Sequence, residues 1–479
     1  MDYDVAIIGA GVVGSLTARE LARYRLSIAL LERSNDVATG SSKANSGIVH
    51  AGFDAKTGTL KASLNVHGAA LMPALCETLF VPYKQNGSLV VALSNDQLTT
   101  IDGLLQRGKA NGVSHLEILG RDALLALEPN LSTDAVGALW AKTAGIVCPY
   151  ELTVAAAECA VANGVQFMRN TGVRAIRREG NQFVLTTDHG DVRARYVINA
   201  AGVYAGKVAQ MIGDDSVDIH PRLGEYGLLD KSVGGMVAST IFQCPTPMGK
   251  GVLVSPTVDG NIIVGPTAVD VTSRDSVATS RQALHDVFES AQKVVPGVSL
   301  RDIITSFGGL RAHDARSDDF VIGPSDSDPA FINAAGIESP GLASSPAIAE
   351  RVAEIFASIY EGELPQNPKY DPSRERPARF RSLSPDQRLD LIAGNAAYGR
   401  VICRCETVTQ GEIVDAIRAD AGARDLDGVK RRTRAGMGRC QSGFCGSKVM
   451  ELLAQETGVP LNEVTKFGGG SRILYERTR

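Results

Sequence analysis

Short apolar runs that end in small residues recur along this chain. The first run, Tyr3-Asp4-Val5-Ala6-Ile7-Ile8, leads directly into Gly9-Ala10-Gly11-Val12-Val13-Gly14, and a helical pattern follows from Ser15 to about Arg23. A second run over 27–31 ends at Glu32. Continuous apolar runs of this length are typical of buried parallel strands, and their alternation with a helix predicts an α/β fold.

The glycine spacing after the first strand predicts a dinucleotide site. Gly9 permits a tight turn, Gly11 lets the backbone approach a pyrophosphate, and Gly14 allows the helix and strand to pack closely. Val13 belongs to the same turn, whose helix start offers N–H groups to phosphates. Glu32 follows at the distance expected of an acid that accepts hydrogen bonds from ribose hydroxyls.

Two later segments repeat the design and favour FAD over NAD. The run 195–199 leads into Ala200 and Gly202, and the run 331–335 leads into Gly336. Gly341 and Leu342 follow, ahead of a helix predicted from about Ala347. Such backbone approaches, spread over more than 300 residues, suit an extended FAD better than a compact NAD domain.

Length and charge narrow the possible classes of protein. A chain of 479 residues is expected to divide into two or three domains. The hydrophobic content of 44% is ordinary for a globular fold, and the net charge of −4 argues against nucleic-acid binding as the main function. No apolar run reaches the ~20 residues that a transmembrane helix needs. The expected location is the cytoplasm, with attachment to the inner face of the cell membrane only through a partner.

Four cysteines near the carboxyl end form two close pairs. Cys403 and Cys405 are separated by 34 intervening residues from the second pair, Cys440 and Cys445. Four thiolates in this arrangement can hold a tetrahedral metal or a small iron–sulfur cluster. A redox cofactor at the other end of the chain favours a 2Fe–2S relay, with zinc and two disulfides as alternatives. The remaining four cysteines are scattered singly and are expected to be ordinary thiols.

The segment from Ser41 to Asp54, followed by Gly58-Thr59-Leu60-Lys61, carries a family resemblance. It resembles the FAD-dependent oxidoreductases of the D-amino-acid-oxidase and glycerol-3-phosphate dehydrogenase superfamily. The similarity is greatest to the anaerobic-type glycerol-3-phosphate dehydrogenases, which also carry a C-terminal four-cysteine domain of the bacterioferritin-associated-ferredoxin type. The resemblance implies FAD contacts for a set of further residues: Ser41, Ser42, Asn45, Ser46 and, through its backbone, Val173.

The same resemblance implies a discontinuous FAD domain of Rossmann type with an inserted, mixed-sheet α+β substrate domain. We expect one oxidoreductase unit over 1–365 and a small helical 2Fe–2S domain over 396–479, joined by a linker over 366–395. Within the first unit, the FAD domain takes about 1–75, 145–215 and 320–360. The substrate domain takes about 76–144 and 216–319. The linker arginines are expected to be solvated, and the basic run 430–434 is expected to offset the charge of the cluster or to dock an acidic partner.

Three residues are candidates for the reacting centre. Oxidation of an alcohol by hydride transfer needs a base for the hydroxyl proton, and a neutral imidazole suits that task. His50, in a loop of small residues, matches the family's active-site histidine. Arg311 matches an arginine that contacts the substrate's phosphate or carboxylate, a role for which paired guanidinium donors are suited. Lys250 resembles a substrate-contacting lysine of the glycerol-3-phosphate enzymes.

These features predict an FAD-dependent dehydrogenase acting on a small anionic hydroxy substrate. The favoured reaction is oxidation of sn-glycerol 3-phosphate to dihydroxyacetone phosphate, with electrons leaving through the 2Fe–2S cluster to a partner subunit or a quinone system. One alternative keeps the same scaffold and changes the substrate to L-2-hydroxyglutarate or another L-2-hydroxy acid. A non-enzymatic alternative is a redox sensor or electron carrier, for which His50 would be dispensable.

Overall fold

A computed structural model of the chain describes residues 2–245 and 251–476. Within these ranges the α-helices are α1 Val12–Leu21, α2 Leu60–Thr78, α3 Asp96–Ala110, α4 Arg121–Leu127, α5 Pro149–Ala162, α6 Ala205–Gln210, α7 Arg281–Gln292, α8 Gly341–Ile359, α9 Pro385–Gly394, α10 Gln410–Arg418, α11 Leu426–Thr433 and α12 Gly446–Thr457. The strands are β1 Asp2–Ile8, β2 Ile28–Leu31, β3 Ile48–Val49, β4 Tyr83–Lys84, β5 Ser88–Ala92, β6 Leu116–Gly120, β7 Gly137–Ala141, β8 Gly145–Val147, β9 Gln166–Met168, β10 Val173–Glu179, β11 Gln182–Thr187, β12 Gly190–Asn199, β13 Ile219–Leu229, β14 Thr240–Gln243, β15 Leu253–Pro256, β16 Ile262–Gly265, β17 Val269–Asp270, β18 Ile303–Asp314, β19 Val321–Pro324, β20 Phe331–Ala335, β21 Val401–Cys403 and β22 Val408–Thr409.

The first apolar run forms the centre of an eight-stranded sheet. Its parallel part has the order β20-β12-β1-β2-β9, and β10, β11 and β19 add antiparallel strands at its margins. Helices α1, α5 and α8 pack against it through one large apolar cluster. Because parallel strands are covered on both faces, their sequences are apolar throughout rather than alternating. The Rossmann-like arrangement predicted from the sequence is confirmed.

A second, nine-stranded sheet is mixed. Its path is β17-β13-β16-β15-β14-β5-β7-β6, and β18 pairs with β13. The pairing of β14 with β5 is parallel, whereas the other pairs are antiparallel. The hairpin predicted around Asp259-Gly260 is present as β15 and β16. Helix α7 covers this sheet through Val287, Phe288 and Ala291, which are buried.

The carboxyl-terminal module is small and mostly helical. It contains the two-stranded β21–β22 ribbon and the helices α10, α11 and α12 around a separate apolar cluster. Cys403 and Cys445 are part of that cluster. No helix of the described ranges is both long and apolar enough to cross a bilayer.

Sheet membership supports a division into domains. The first sheet takes its strands from 2–31, 166–199 and 321–335, and the second takes them from 88–141 and 219–314. We propose on this basis that the FAD domain is discontinuous and that the substrate domain is inserted into it, with the boundaries stated above.

The prediction that the linker arginines are solvated is wrong for three of them. Arg374 forms an ion pair with Glu158, and its side chain is only 8% exposed. Arg379 pairs with Glu151, and Arg381 reaches Glu406 at 2.9 Å. The linker therefore lies along the first unit as a fixed strap, because buried guanidinium groups require such partners.

Helix α8 begins at Gly341 rather than near Ala347, so that prediction was also wrong. Proline inside a helix normally leaves the carbonyl four residues earlier without a donor. Here the Ser345 Oγ donates to the Leu342 carbonyl at 2.8 Å, which is the carbonyl that Pro346 cannot serve. The longer helix brings its first turn to the edge of the sheet where β1 and β20 end.

Candidate functional site

A large cavity lies between the two sheets. Its volume is about 1650 Å³, and its wall includes residues of the first turn, the 41–46 loop, β13, β18 and the start of α8. The predicted cofactor residues that line it are Gly9, Gly11, Val13, Glu32, Ser41, Ser42, Asn45, Ser46, Val173, Ala200, Gly202, Gly341 and Leu342. The sequence separates these residues by more than 300 positions, and the fold brings them to one wall.

The turn after β1 has no room for a side chain at Gly9 or at Gly14. Gly9 has a φ of +105°, and a Cβ there would lie 2.5 Å from the Ala200 carbonyl oxygen. A Cβ on Gly14 would overlap the Gly9 carbonyl oxygen, so Gly14 serves helix packing and does not line the cavity. The first turn of α1 leaves backbone N–H groups without partners inside the helix. This open, positively polarised end suits a pyrophosphate.

Glu32 lies at the end of β2, on the cavity wall. Its carboxylate oxygens accept hydrogen bonds from the Ala10 N–H at 3.0 Å and the Ser34 N–H at 2.9 Å. Burial raises the pKa of Glu32, and these backbone donors oppose that effect. Each oxygen keeps a further lone pair, so the carboxylate can also accept a ribose hydroxyl.

The loop that contains Ser41, Ser42, Asn45 and Ser46 closes the cavity on the side of β18. The Ser42 hydroxyl accepts the Val12 N–H at 2.9 Å, and the Ser41 hydroxyl donates to the Leu310 carbonyl. Asn45 fixes the loop internally, because its side-chain oxygen accepts the Gly47 N–H at 2.9 Å. The loop thus joins the start of α1 to β18, the strand that carries Arg311.

Gly336 does not line the cavity. It follows β20 with a φ of +65°, and a Cβ there would lie 3.0 Å from the Asp319 carbonyl oxygen. Its effect on the site is indirect, because it turns the chain from β20 toward Gly341.

His50 follows β3 and reaches the same cavity. Its imidazole stacks on the Phe242 ring, with the ring centroids 5.7 Å apart and the planes inclined by 28°. The buried Asn65 side chain donates to the His50 carbonyl at 2.6 Å and so holds the backbone of the loop. Stacking and this hydrogen bond together fix the ring at the cavity wall.

Arg311 lies on β18 and lines the cavity. Both of its terminal nitrogens donate to the Thr267 carbonyl at 3.2 Å. Within residues 2–245 and 251–476, no carboxylate forms an ion pair with it. A half-buried guanidinium held by a neutral carbonyl retains charge and donors for an anionic ligand. The third predicted reacting residue, Lys250, lies outside the described residues.

Several residues of this wall were not predicted from the sequence. Phe242 and Asn65 position His50, as described above, and they lie on β14 and α2. Lys61 donates to Glu338 at 2.9 Å, and His313 approaches the same carboxylate at 3.1 Å. Despite its burial, the pKa of Glu338 is lowered by Lys61 and His313. Lys61 belongs to the segment that carries the family resemblance, which was the one available signal.

The four predicted cluster ligands meet in the carboxyl-terminal module. The Cys405 and Cys440 sulfurs are 3.7 Å apart, and Cys403 is hydrogen-bonded to Cys445. The hydrogen bond from Cys445, together with the Gly436 and Glu406 N–H groups, lowers the pKa of Cys403 to about 6. No three of the four sulfurs lie within 4.8 Å of one another.

This spacing bears on the kind of metal centre. A single tetrahedral zinc with Zn–S bonds of ~2.3 Å requires its four sulfurs to lie about 3.8 Å from one another. Two separated sulfur pairs instead suit two metal atoms, as in a 2Fe–2S cluster. The cysteines are free thiols in the structure, so the alternative of two disulfides is not realised.

The basic run 430–434 packs against the first unit, so its arginines are not available to dock a separate acidic partner, contrary to that prediction. Arg431 and Arg432 pair with Asp36, whose side chain is 0% exposed. Arg434 pairs with Asp259 at 2.7 Å and with Glu406 at 2.9 Å. Asp36 follows Glu32 in the chain, so the module packs directly on the segment that forms the cofactor wall.

The residues present fit both cofactors. The cavity has a volume of about 1650 Å³, and its wall carries a glycine turn with no room for a Cβ at Gly9, an imidazole and a guanidinium. An extended dinucleotide with a flat redox ring matches this layout. In the module, two thiol pairs with nearby backbone N–H donors match a 2Fe–2S cluster.

Comparisons with known proteins agree with the geometry. Residues 4–355 match the family described as FAD dependent oxidoreductase, and residues 401–455 match the BFD-like [2Fe-2S] binding domain. A glycerol 3-phosphate dehydrogenase of Caloramator mitchellensis is 46% identical over 100% of this chain and 99% of its own. A glycerol 3-phosphate oxidase of Mycoplasma genitalium is 32% identical over 77% of this chain and 98% of its own.

A solved structure of the L-alpha-glycerophosphate oxidase from Mycoplasma pneumoniae, with FAD bound, has a TM-score of 0.73 and 30% identity. It covers 78% of this chain and 98% of its own. An L-2-hydroxyglutarate dehydrogenase of Nematostella vectensis is 28% identical over 75% of this chain and 91% of its own. The predicted cofactors, FAD and a 2Fe–2S cluster, are confirmed by these matches. The chain thus belongs to the FAD dependent oxidoreductase family and carries a carboxyl-terminal BFD-like [2Fe-2S] domain.

Proposed function

We propose that this protein is a dehydrogenase that oxidises sn-glycerol 3-phosphate to dihydroxyacetone phosphate. The observation that carries the proposal is the presence of His50 and Arg311 on the wall of the cavity that also contains the dinucleotide-binding turn. The full-length similarity to a glycerol 3-phosphate dehydrogenase supports the choice of substrate. The lower identity to an L-2-hydroxyglutarate dehydrogenase makes that substrate the second candidate.

Arg311 binds the substrate's phosphate in this proposal. Its two terminal nitrogens already share one carbonyl acceptor, so the guanidinium is oriented before substrate arrives. An oriented cation loses little side-chain entropy on binding and fixes the carbon that reacts. Lys250 is proposed as a second contact to the same anion.

His50 accepts the proton of the substrate's hydroxyl group. The stacked Phe242 ring and the Asn65 hydrogen bond hold the imidazole at the cavity wall, so that it needs little reorganisation as the proton moves. When bound, FAD supplies the hydride acceptor and the 2Fe–2S cluster supplies one-electron transfer onward. Loss of a proton to His50 and of a hydride from the carbon together convert the alcohol to the ketone.

Anaerobic spectroscopy of the purified holoenzyme tests the proposal. We expect sn-glycerol 3-phosphate to bleach the flavin absorbance rapidly and L-2-hydroxyglutarate to leave it unchanged. The opposite pattern would transfer the proposal to the hydroxy acid. No bleaching by any member of a panel of hydroxy acids and polyol phosphates would favour a sensor or carrier.

A further inference from the structure

The four cysteines of the module differ in their exposure. Cys403 and Cys445 are buried in the apolar cluster of the module, whereas Cys405 is exposed and Cys440 is half-buried. One side of the cluster site therefore faces the interior and the other faces solvent. Electrons that leave the protein have their shortest route on the solvent side, through the Cys405 and Cys440 sulfurs.

An exposed aromatic residue lies beside the solvent side of the cluster site, which is called the Cys405–Cys440 opening. The Phe444 side chain, next to Cys445 in sequence and four residues after Cys440, is 86% exposed. Nine of the thirteen large apolar side chains that are exposed in the described chain belong to residues 389–475. Phe444 is the most exposed of the thirteen, so its ring is available to a partner's surface.

The charges around the opening are positive. Arg404 and Lys448 are exposed, and the Arg439 side chain is 74% exposed although it pairs with Asp230 at 3.0 Å. No carboxylate residue occurs in 436–448. Glu406 is the one carboxylate of 401–409, and its side chain is 1% exposed. Glu451 follows on the next turn of α12.

The basic run 430–434 does not supply this charge. Its arginines pair with Asp36, Asp259 and Glu406, and the Arg431, Arg432 and Arg434 side chains are no more than 6% exposed. A partner approaching the module therefore meets Arg404, Arg439 and Lys448 rather than the run that composition alone would favour.

We propose that Arg404, Arg439, Phe444 and Lys448, around the Cys405–Cys440 opening, form the docking surface for an acidic one-electron acceptor protein. This set is called the exit surface below, and the inference rests on the proposed function only for the source of the electrons. Positive charge steers and orients an acidic partner, and an exposed phenyl group gives the apolar centre that such small interfaces use. Each transfer oxidises the cluster by one electron and reduces one partner by one, so two partners are reduced for each substrate oxidised.

A pair of haem proteins of opposite charge tests the exit surface. The acidic probe is the soluble domain of cytochrome b5, and the basic probe is cytochrome c. Holoenzyme is photoreduced without substrate, with EDTA as the electron donor, and mixed anaerobically with each ferric probe at ionic strengths of about 0.01 M and about 0.15 M. Binding of each oxidised probe to the oxidised holoenzyme is measured separately by calorimetry.

We expect the rate constant for cytochrome b5 to fall as salt rises, and that for cytochrome c to rise or stay constant. Lys448→Glu combined with Arg439→Glu should lower the cytochrome b5 rate constant about ten-fold at low salt and weaken its binding to a similar degree. Phe444→Ala should weaken binding of cytochrome b5 at both ionic strengths. Arg281→Glu reverses an exposed charge on α7, outside the exit surface, and should change neither quantity.

Three outcomes would overturn the inference. These are an equal effect of Arg281→Glu, no effect of the exit-surface variants in enzyme with full iron and FAD content, or binding to anionic lipid vesicles without binding to cytochrome b5. Phe444→Ala changes no charge, so it still tests the exit surface if the charge-reversed variants lose the cluster. Photoreduction separates the two proposals: if sn-glycerol 3-phosphate fails to bleach the flavin while photoreduced enzyme still shows the charge-dependent transfer, the substrate assignment fails and the exit surface stands.

Discussion

His50 and Arg311 differ in the kind of neighbours that hold them. His50 is fixed by an aromatic ring on β14 and by an amide on α2, so its position depends on two elements distant in sequence. Arg311 is held by the Thr267 carbonyl and by a hydrogen bond with the Tyr226 side chain, so its guanidinium is oriented before a ligand binds. The two residues are suited to different tasks, proton transfer for the imidazole and anion binding for the guanidinium.

Replacement of His50 by alanine should separate catalysis from cofactor binding. We expect His50→Ala to retain FAD and to slow substrate-driven flavin reduction about 10²–10⁴-fold, because a general base is lost. Stopped-flow reduction under anaerobic conditions gives the rate. The control is His67→Ala, which removes an exposed histidine paired with Glu350 outside the cavity. An unchanged rate in His50→Ala would exclude the imidazole from the reaction.

Replacement of Arg311 should act mainly on substrate binding. A charge-assisted hydrogen bond contributes about 1.5–3 kcal/mol, so Arg311→Gln should raise KM about 10–100-fold. Arg311→Lys should recover part of this loss, because charge is kept while the paired donors are not. Arg301→Gln, an exposed change just before β18, is the control. The assignment of Arg311 fails when both variants of this residue bind sn-glycerol 3-phosphate as the unaltered enzyme does.

The family resemblance predicted these two residues but not the groups that position them. His50 and Arg311 stand in segments with a family resemblance, so their numbers could be read from the chain. Asn65 and Phe242 stand in ordinary helical and strand patterns. Their roles arise only because α2 and β14 meet the His50 loop in three dimensions.

At the scale of elements, α11 joins the carboxyl-terminal module to the first unit. Arg431 and Arg432, in its last turns, meet Asp36 in the segment between β2 and β3. Burial alone would raise the pKa of Asp36, but the two guanidinium groups lower it from 3.8 to about 2. Asp36 is therefore ionised when the carboxyl-terminal module is packed on the first unit.

Acidification should weaken the packing of the module on the first unit over a defined pH range. A carboxyl group whose pKa is lower in the folded state contributes stability above its unfolded pKa, and that contribution is lost as pH falls through the folded value. For Asp36 the window runs from about pH 4 down to about pH 2, and the contribution is about 2 kcal/mol. Limited proteolysis of the linker as a function of pH reports undocking.

Asp36→Asn removes the junction's charge at neutral pH. Two buried guanidinium groups then lose their partner, which costs about 3–5 kcal/mol. We expect faster linker cleavage and a lower Tm than in the unaltered protein, with little remaining pH dependence between about 4 and 2. Asp96→Asn, an exposed change at the start of α3, is the matched control. Equal proteolysis of the two variants at neutral pH would contradict the role given to Asp36.

The elements themselves were largely predictable, whereas their junctions were not. The β1 strand, the turn at Gly9 and α1 follow from local periodicity and glycine chemistry. The early start of α8 escaped prediction because the Ser345 hydroxyl compensates for Pro346. The basic run of α11 was expected to offset the charge of the cluster or to dock an acidic partner, since composition does not tell which carboxylates lie opposite in the fold.

The whole molecule combines two units that handle electrons differently. The cavity between the sheets suits a cofactor that takes electrons in pairs, and the module suits one that passes them singly. The sequence predicted this pairing, because its two motifs stand at opposite ends of the chain. The direct packing of α11 on the cofactor wall required the structure.

Loss of the cluster should leave the first half of the reaction intact. Cys405→Ser removes an exposed ligand, so we expect loss of iron–sulfur absorbance and of iron, with substrate-driven flavin reduction unchanged. Reduction of an acceptor protein in steady state should fall at least about ten-fold. The control is Cys244→Ala, which replaces a buried cysteine just after β14. Zinc in place of iron in the unaltered protein would contradict the 2Fe–2S assignment.

The buried arginines of α11 also limit which modules could replace this one. A copy of residues 396–476 without its neighbour would present unneutralised guanidinium groups on the side that now covers Asp36 and Asp259. Replacement of this module by a foreign one without matching arginines would leave the buried Asp36 and Asp259 carboxylates without partners, at a cost in stability.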